Sequence, residues 1–418
     1  MAIALQSELA QLVRDDEVHR RVYTDPEVFE AELQRVFGRT WVFVAHESDV
    51  PNRGDFKADH IGRQPIIVVR HTDGQVHVLF NTCRHRGATV CQLERGNTNH
   101  FRCPYHAWAY RTNGELAGVP FEEGFGPDFR LADYPLARPA RVESYRGFLF
   151  ASLSPQGPSL SEHLASGKHY LDLMCDRAPE GRIQSTKPLL YRYNGNWKLQ
   201  MDNYADNYHP PFVHQSAFEV RTAAAGIPNY VSSRNFNVDY QERSYGAGHG
   251  MALYPGDGRP SWRDCYQNDE YLAMLTRRYG EEQAKEMARV DMHVMIYPNL
   301  LLHHRLNHYR VVKPVAVDRT EVYTFPCKLV GAPDDLNELL VRSTAIHVSP
   351  GGDVQVDDLE AFARVQAGLQ TEAVEWLLFK LRGDEDVNDQ GELTNVGISE
   401  MIQRGFYREW RRLMSEPC

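Results

Sequence analysis

Two short segments, Cys83-Arg84-His85 and Cys103-Pro104-Tyr105-His106, constrain this chain more than anything else in it, because each offers one thiolate and one imidazole. A structural zinc site usually draws two Cys from one loop and two His from another, whereas here both loops are mixed. Mixed loops suit a [2Fe-2S] centre in which two Cys hold one iron and two His the other. Neutral imidazole in place of thiolate lowers the negative charge there and raises the reduction potential. The fold must therefore bring residues 83–85 and 103–106 together. A single zinc ion is the competing reading of the same four donors.

The flanking sequence fits that demand. Pro65 to Arg70, a turn at Asp73-Gly74, and Val76 to Phe80 running straight into Cys83 predict two strands with the ligand loop as a hairpin tip. Cys103 to His106 is followed by Trp108-Ala109-Tyr110 and a second turn at Asn113-Gly114. Gly87 and Pro104 are of the types that shield a cluster while leaving its hydrogen bonds to the main chain. Short strands broken by such turns run from Trp41 to about Leu153, which predicts a small all-β domain ending at Pro155-Gln156-Gly157-Pro158-Ser159. Before it, Asp25-Pro26 opens a helix over Glu27 to Phe37 with Phe29, Leu33, Val36 and Phe37 on its apolar face. After it, helical pieces at 159–175 and 355–380 bracket extended runs at 299–312 and 320–329, an α+β pattern with an antiparallel sheet.

Several functions are excluded at this stage. The net charge of -10 and a pI near 6.0 leave no footprint for nucleic acid or an anionic membrane surface. Met1 to Val18 contains Glu8, Arg14, Asp15 and Asp16 and no apolar core, so a cytoplasmic location is expected. Of the seven cysteines, Cys91, Cys175, Cys265, Cys327 and Cys418 remain once Cys83 and Cys103 are assigned, an odd set read as reduced thiols, with Cys91 not a ligand. Gly246-Ala247-Gly248-His249-Gly250 is read as a flexible loop and not a nucleotide site, since no strand clearly feeds it and Tyr254-Pro255-Gly256 follows. With no dinucleotide fingerprint, the chain is not expected to bind NAD(P)H or flavin itself, so electrons must come from another protein.

A second metal site is written in Asn203-x2-Asp206-x2-His209-x4-His214. On a helix, 203, 206 and 209 share one face, and Pro210-Pro211 should turn the chain so that His214 returns beside His209. Two histidines with one carboxylate form the facial triad of non-haem Fe(II) enzymes, which leaves positions open for oxygen and substrate. The acidic cluster Asp353, Asp357, Asp358 and Glu360 can supply the carboxylate. If a helix starts near Asp357, then Asp358 falls in line with Phe362, Val365 and Leu369, while Asp357 joins Glu360 and Arg364 on the polar side. An inward carboxylate is costly unless paired or metal-bound, so Asp358 is the expected ligand; a mere helix cap is the alternative. Asp206 is placed to accept the outer N–H of His209, or to bridge the two metal centres, and Asn203 to line the pocket.

Taken in order from Trp41 to Gly405-Phe406-Tyr407-Arg408-Glu409-Trp410, these motifs resemble the large (alpha) subunit of Rieske non-haem iron aromatic ring-hydroxylating oxygenases. The resemblance implies an α+β chain: an N-terminal helical segment (1–40) packing on the catalytic domain, an all-β Rieske domain (41–154), and a helix-grip catalytic domain (155–418) with an antiparallel sheet around a long helix. It implies a [2Fe-2S] cluster on Cys83, His85, Cys103 and His106, and a mononuclear Fe(II) on His209, His214 and Asp358. It also implies a homotrimer, with or without small β subunits, in which Asp206 links His209 to His106 of the partner subunit. O2 would be the co-substrate, and electrons from NAD(P)H would arrive through a separate reductase, with or without a ferredoxin. The commonest family reaction puts both oxygen atoms on adjacent ring carbons, giving a cis-dihydrodiol, while other members monohydroxylate or demethylate. A pure electron carrier would have no use for His209, His214 and Asp358.

The substrate is less legible. Tyr204 stands where hydrocarbon-oxidising members often have Phe. Strand alternation after Tyr297 would put Leu300, Leu302 and His304 on one face and Leu301, His303 and Arg305 on the other. An inward His304 or Arg305 would hold a carboxylate, so an aromatic carboxylic acid is expected, with a neutral aromatic hydrocarbon as the alternative.

Overall fold

A computed structural model describes residues 8–224, 240–254 and 268–416. Its contacts separate two units, Phe37–Leu160 and a second made of Met1–Val36 with Ser161–Cys418, so the first is inserted into the sequence of the second.

The inserted unit is built from three small antiparallel sheets. One has the strand order Val76–Phe80, Gln64–Arg70, Asp55–Ile61, Arg95–Asn97; its second strand runs Ile66, Ile67, Val68, Val69 with all four fully buried. A second sheet pairs His100–Arg102, Ala109–Arg111 and Leu116–Gly118. The Cys103 loop is the tip of a hairpin between paired strands. The Cys83 loop differs from expectation. Val76–Phe80 does not pair with the strand after the loop, Arg95–Asn97, which lies on the opposite edge of the sheet, so residues 81–94 form a crossover. Asn81 supplies the order that a partner strand would have given. Its Oδ1 accepts from the backbone N–H of Val90 and of Cys91, both at 2.9 Å, and its Nδ2 donates to the Cys91 carbonyl at 2.8 Å.

The other unit centres on a ten-stranded sheet among the described residues. Its middle is the antiparallel run Arg319–Leu329, His308–Ala316, Leu300–His303, Asp291–Ile296, Gly250–Tyr254, Gln241–Ser244. The helix Met401–Ser415 lies against the last two of these strands, and glycines permit the approach. A Cβ on Gly405 would sit 2.2 Å from Ser244 Oγ, and one on Gly250 2.3 Å from Ile402 Cγ2. Helix Pro26–Arg35 starts at Asp25, whose side chain accepts from the Glu27 N–H. From that helix the buried Glu32 accepts from Trp197 Nε1 at 2.8 Å, Lys198 Nζ at 2.6 Å and Trp410 Nε1 at 2.6 Å, joining three distant parts of the chain.

Three further expectations change. The helix near 355 spans Gln355–Gly368 and does not reach 380; Trp376–Leu378 is instead a strand paired with Glu17–His19. Within that helix Val365 is exposed and Gln366 takes the buried position, where it accepts from Asn196 N–H at 2.9 Å. The Gly246 segment is a hairpin turn between Gln241–Ser244 and Gly250–Tyr254, fed by a strand and followed by one, with His249 buried and donating to the His163 carbonyl at 2.7 Å. Its continuation at Pro255-Gly256 lies outside the described residues, as do Cys265 and Cys418. Cys83, Cys91, Cys103, Cys175 and Cys327 are buried and not joined in disulfides, and Cys91 Sγ donates to the Leu93 carbonyl at 3.3 Å. No described helix is long and apolar enough to cross a membrane.

Candidate active site

The two Cys/His loops share one backbone design. The Cys83 N–H donates to the Ala88 carbonyl at 2.8 Å and the Gly87 N–H to the Cys83 carbonyl at 2.9 Å; the Cys103 N–H donates to the Trp108 carbonyl at 2.8 Å and the Ala107 N–H to the Cys103 carbonyl at 3.0 Å. Each loop turns back through a left-handed residue, Gly87 at φ 75° and Ala107 at φ 58°. The loops bring the His85 and His106 rings to 4.5 Å between centroids, and His85 stacks on Trp108 at 5.0 Å. Cys83 and Cys103 belong to one apolar core with Trp108 and Tyr110, while Pro104 is exposed. Tyr110 Oη accepts from the Arg84 N–H at 3.0 Å and lies 3.3 Å from Cys83 Sγ.

These residues fit an iron-sulfur cluster. His85 Nδ1 is buried and has no hydrogen-bond partner among the described residues, a lone pair in want of a ligand. The four donors are not among the described groups whose ligand atoms fall within 4.8 Å of one another, as a single zinc ion would require.

In the other unit two such groups exist among the described residues, Asp291 with His293 and His303, and His209 with His214 and Asp358. Helix Trp197–Tyr204, capped by Asn196, delivers Asn203 and then stops, so Asp206 and His209 lie beyond the helix and not along it. The two prolines do not reverse the chain. They open a short helix, Pro210–Val213, at positions where a missing N–H costs nothing, and one turn of it carries His214 back to His209 with 5.3 Å between ring centroids. Asp358 Oδ1 lies 3.2 Å from His214 Nε2 and 3.7 Å from His209 Nε2. The outer nitrogens are each held by a carboxylate: His209 Nδ1–H donates to Asp206 Oδ2 at 3.0 Å and His214 Nδ1–H to Asp357 Oδ2 at 3.3 Å. Both rings thus present Nε2 lone pairs to one point, the donor chemistry of a facial Fe(II) triad. Asn203 Nδ2 donates to His209 Nε2 at 3.1 Å and to Asp358 Oδ1 at 3.2 Å, so it borders the same point. Burial alone would raise the pKa of Asp358, but His214, His209 and Arg310 outweigh it and keep the carboxyl below its ordinary value.

A model of the Rieske [2Fe-2S] domain matches residues 40–137, and one of the ring-hydroxylating alpha subunit catalytic domain matches residues 176–416. The chain belongs to the ring-hydroxylating alpha subunits. This alpha subunit is 31% identical to the alpha subunit of biphenyl 2,3-dioxygenase from Rhodococcus jostii, over 98% of its own length and 92% of that protein's. It is 33% identical to the alpha subunit of toluate 1,2-dioxygenase from Pseudomonas putida, over 85% and 81%. Naphthalene 1,2-dioxygenase from Rhodococcus sp., solved with indole bound, superposes with a TM-score of 0.86 at 30% identity, over 99% and 98% of the two chains. This alpha subunit is therefore an oxidoreductase of the aromatic ring dioxygenase family, whose cofactors are a Rieske cluster and a mononuclear iron, with O2 as co-substrate and electrons from a separate reductase.

The pocket side of this alpha subunit's sheet departs from the sequence reading. The strand ends at His303, so the alternation does not extend to His304 and Arg305. His304 is buried, Nε2 donating to the Tyr170 carbonyl at 2.9 Å, and burial followed by the nearby Arg177 lowers its pKa to about 4. A neutral ring so engaged offers no charge to a carboxylate. Arg305 is buried in the turn that follows the strand. What the sequence reading missed is a row across three strands, where His293 pairs with His303 and His303 with His308, rings 4.3 and 5.0 Å apart. Tyr204 stacks on His293 at 5.1 Å. Arg310 shares a face with His308, two residues away along the strand. A turn placed at Asn307, which has φ 49°, would have revealed the row.

Proposed function

We propose that this alpha subunit is the terminal oxygenase of a system that converts an aromatic carboxylic acid to its cis-dihydrodiol. The carrying observation is the convergence of His209, His214 and Asp358 within 4.8 Å, in a chain that also carries two matched Cys/His loops. In this reading Cys83, His85, Cys103 and His106 hold the cluster, and His209, His214 and Asp358 hold the mononuclear iron. The overall change is ring plus O2, two electrons and two protons to dihydrodiol. NAD(P)H gives up the electrons at a partner reductase, with or without a ferredoxin. Bound iron supplies the oxygen activation that no side chain can.

The chain's own groups set the conditions. Asp206 and Asp357 fix both imidazoles in the tautomer whose Nε2 faces inward. Asp206, about a fifth exposed, also accepts from the Tyr208 N–H at 2.7 Å, which leaves it ordered at the rim of the site. That placement supports its role as the link from His209 to His106 of the partner subunit in a homotrimer, with or without small β subunits. The relatives' names divide between neutral hydrocarbons and an acid at nearly equal identity, so the sheet face next to the triad has to choose. On that face burial holds His308 neutral, and His293 and His303 stand beside the buried Asp291, so Arg310 is the group that supports an acidic substrate.

Iron content and isotope labelling test this together. The expected results are one iron per chain beyond the cluster's pair and, under labelled O2, two labelled oxygens in one product. Cluster iron alone would make the protein an electron carrier, and one labelled oxygen a monooxygenase or demethylase.

A further inference from the structure

Arg310 is a buried cation next to the triad, and among the described residues its surroundings are short of acceptors. It is 6% exposed. Nε donates to His308 Nε2 at 3.3 Å, and Nη1 to Gln355 Oε1 at 2.8 Å and Tyr191 Oη at 3.4 Å, so among the described residues every partner is neutral and Nη2 makes no bond. The guanidinium lies 5.1 Å from the centre of the Tyr204 ring. Two of the groups against it hold further buried donors with no acceptor among the described residues: Tyr204 Oη, and Gln355 Nε2, whose oxygen is already taken by Arg310. Asp358 is the nearby anion, but its Oδ1 faces His214 and Asn203.

The position of this cluster matters as much as its composition. Gln355 stands one helical turn before Asp358 on the same helix, and Tyr204 follows Asn203, which touches both His209 and Asp358. A guanidinium buried among neutral partners carries a desolvation cost that hydrogen bonds to neutral groups only partly offset. The ligand that completes such a set is anionic and accepts several hydrogen bonds at once, from Arg310 Nη2, the Tyr204 hydroxyl and the Gln355 amide, and a carboxylate meets both conditions.

We infer that Arg310, with Tyr204 and Gln355, forms the subsite for the substrate's carboxylate and thereby orients an aromatic acid beside His209, His214 and Asp358. This rests on the oxygenase reading above and narrows it, because it replaces a general preference for acids with a named anchor.

The test compares binding of benzoate, 2-hydroxybenzoate and 2-aminobenzoate with that of their carboxamides, by calorimetry on the intact purified protein, and in parallel by reductase-dependent O2 uptake. In the wild type at least one acid should bind about 10- to 100-fold more tightly than its amide, the span expected for a charge-assisted pair. Arg310→Gln should bring that ratio close to one, and Arg310→Lys should restore part of it, with cluster absorption and iron content as checks on folding. A wild-type ratio near one for every pair overturns the subsite whether or not the variants fold. So does a preference that survives Arg310→Gln. Those outcomes remain separate from failure of the parent reading: loss of the subsite leaves iron content and O2 uptake with neutral aromatics intact, whereas failure as an oxygenase removes uptake with every ring compound.

Discussion

Asp357 and Asp358 are neighbours in sequence with opposite duties, and replacing each by alanine separates them. Asp358 faces both Nε2 atoms, so Asp358→Ala removes the only carboxylate of the triad, and the mononuclear iron should be lost outright. Asp357 touches only the far nitrogen of His214. That bond is 3.3 Å long, beyond the usual range for N–H···O, and the Asp357 side chain is 31% exposed. A charge-assisted bond in that condition belongs at the low end of its scale, about 1.5 kcal/mol. About 1.4 kcal/mol is a factor of ten in affinity, so Asp357→Ala should retain iron and weaken its binding about tenfold. Iron per chain after dialysis against graded chelator measures both, with cluster absorption as the internal control for folding. If Asp357→Ala empties the site while Asp358→Ala keeps it filled, the assignment of the two carboxylates is wrong.

Other expected outcomes are briefer. His209→Ala should abolish turnover and leave the visible spectrum of the cluster unchanged, whereas Cys103→Ser should bleach the cluster. Gly405→Val would drive a side chain into Ser244 Oγ, 2.2 Å from the Cβ position, and should cost about 1–3 kcal/mol in denaturant unfolding; an unchanged midpoint would contradict the close packing of that helix. Burial pushes the Asp202 carboxyl up to about 7 against the bonds from Tyr407 and Tyr23. The folded state then holds a proton that the unfolded chain has released, so this group's contribution to stability falls as pH rises from about 4 to 7. Asp202→Asn should flatten that slope in urea titrations at several pH values, and an unaltered slope would show that Asp202 is already ionised.

The matched Cys/His loops and the convergence of His209 with His214 were legible because ligand chemistry is local: two loops and one His-x4-His segment name their candidate donors without reference to the fold. The α+β class followed from strand and helix periods in the same way. The choice of Asp358 over Asp357 came from helical phase, although Val365, assigned to the apolar stripe, proved exposed, since a hydrogen-bonded Gln366 fills the buried place. What was hidden depended on partners remote in sequence. The crossover at 81–94 is settled by which edge Arg95–Asn97 joins, and the His293, His303, His308 row by two turns that set strand register. His304 and Arg305 misled for the same reason: alternation was carried two residues past the end of a strand.

Glu32 gathers bonds from residues 197, 198 and 410, while residues 37–160 are occupied elsewhere. During synthesis the intervening segment emerges whole and can reach its native arrangement early, but the N-terminal helix must wait for the last stretch of chain before its buried carboxylate is satisfied. Assembly of the iron-sulfur unit is thereby free to precede closure of the oxygen-activating one. A nascent chain arrested before Trp410 should already take up its cluster while its other half remains open to protease.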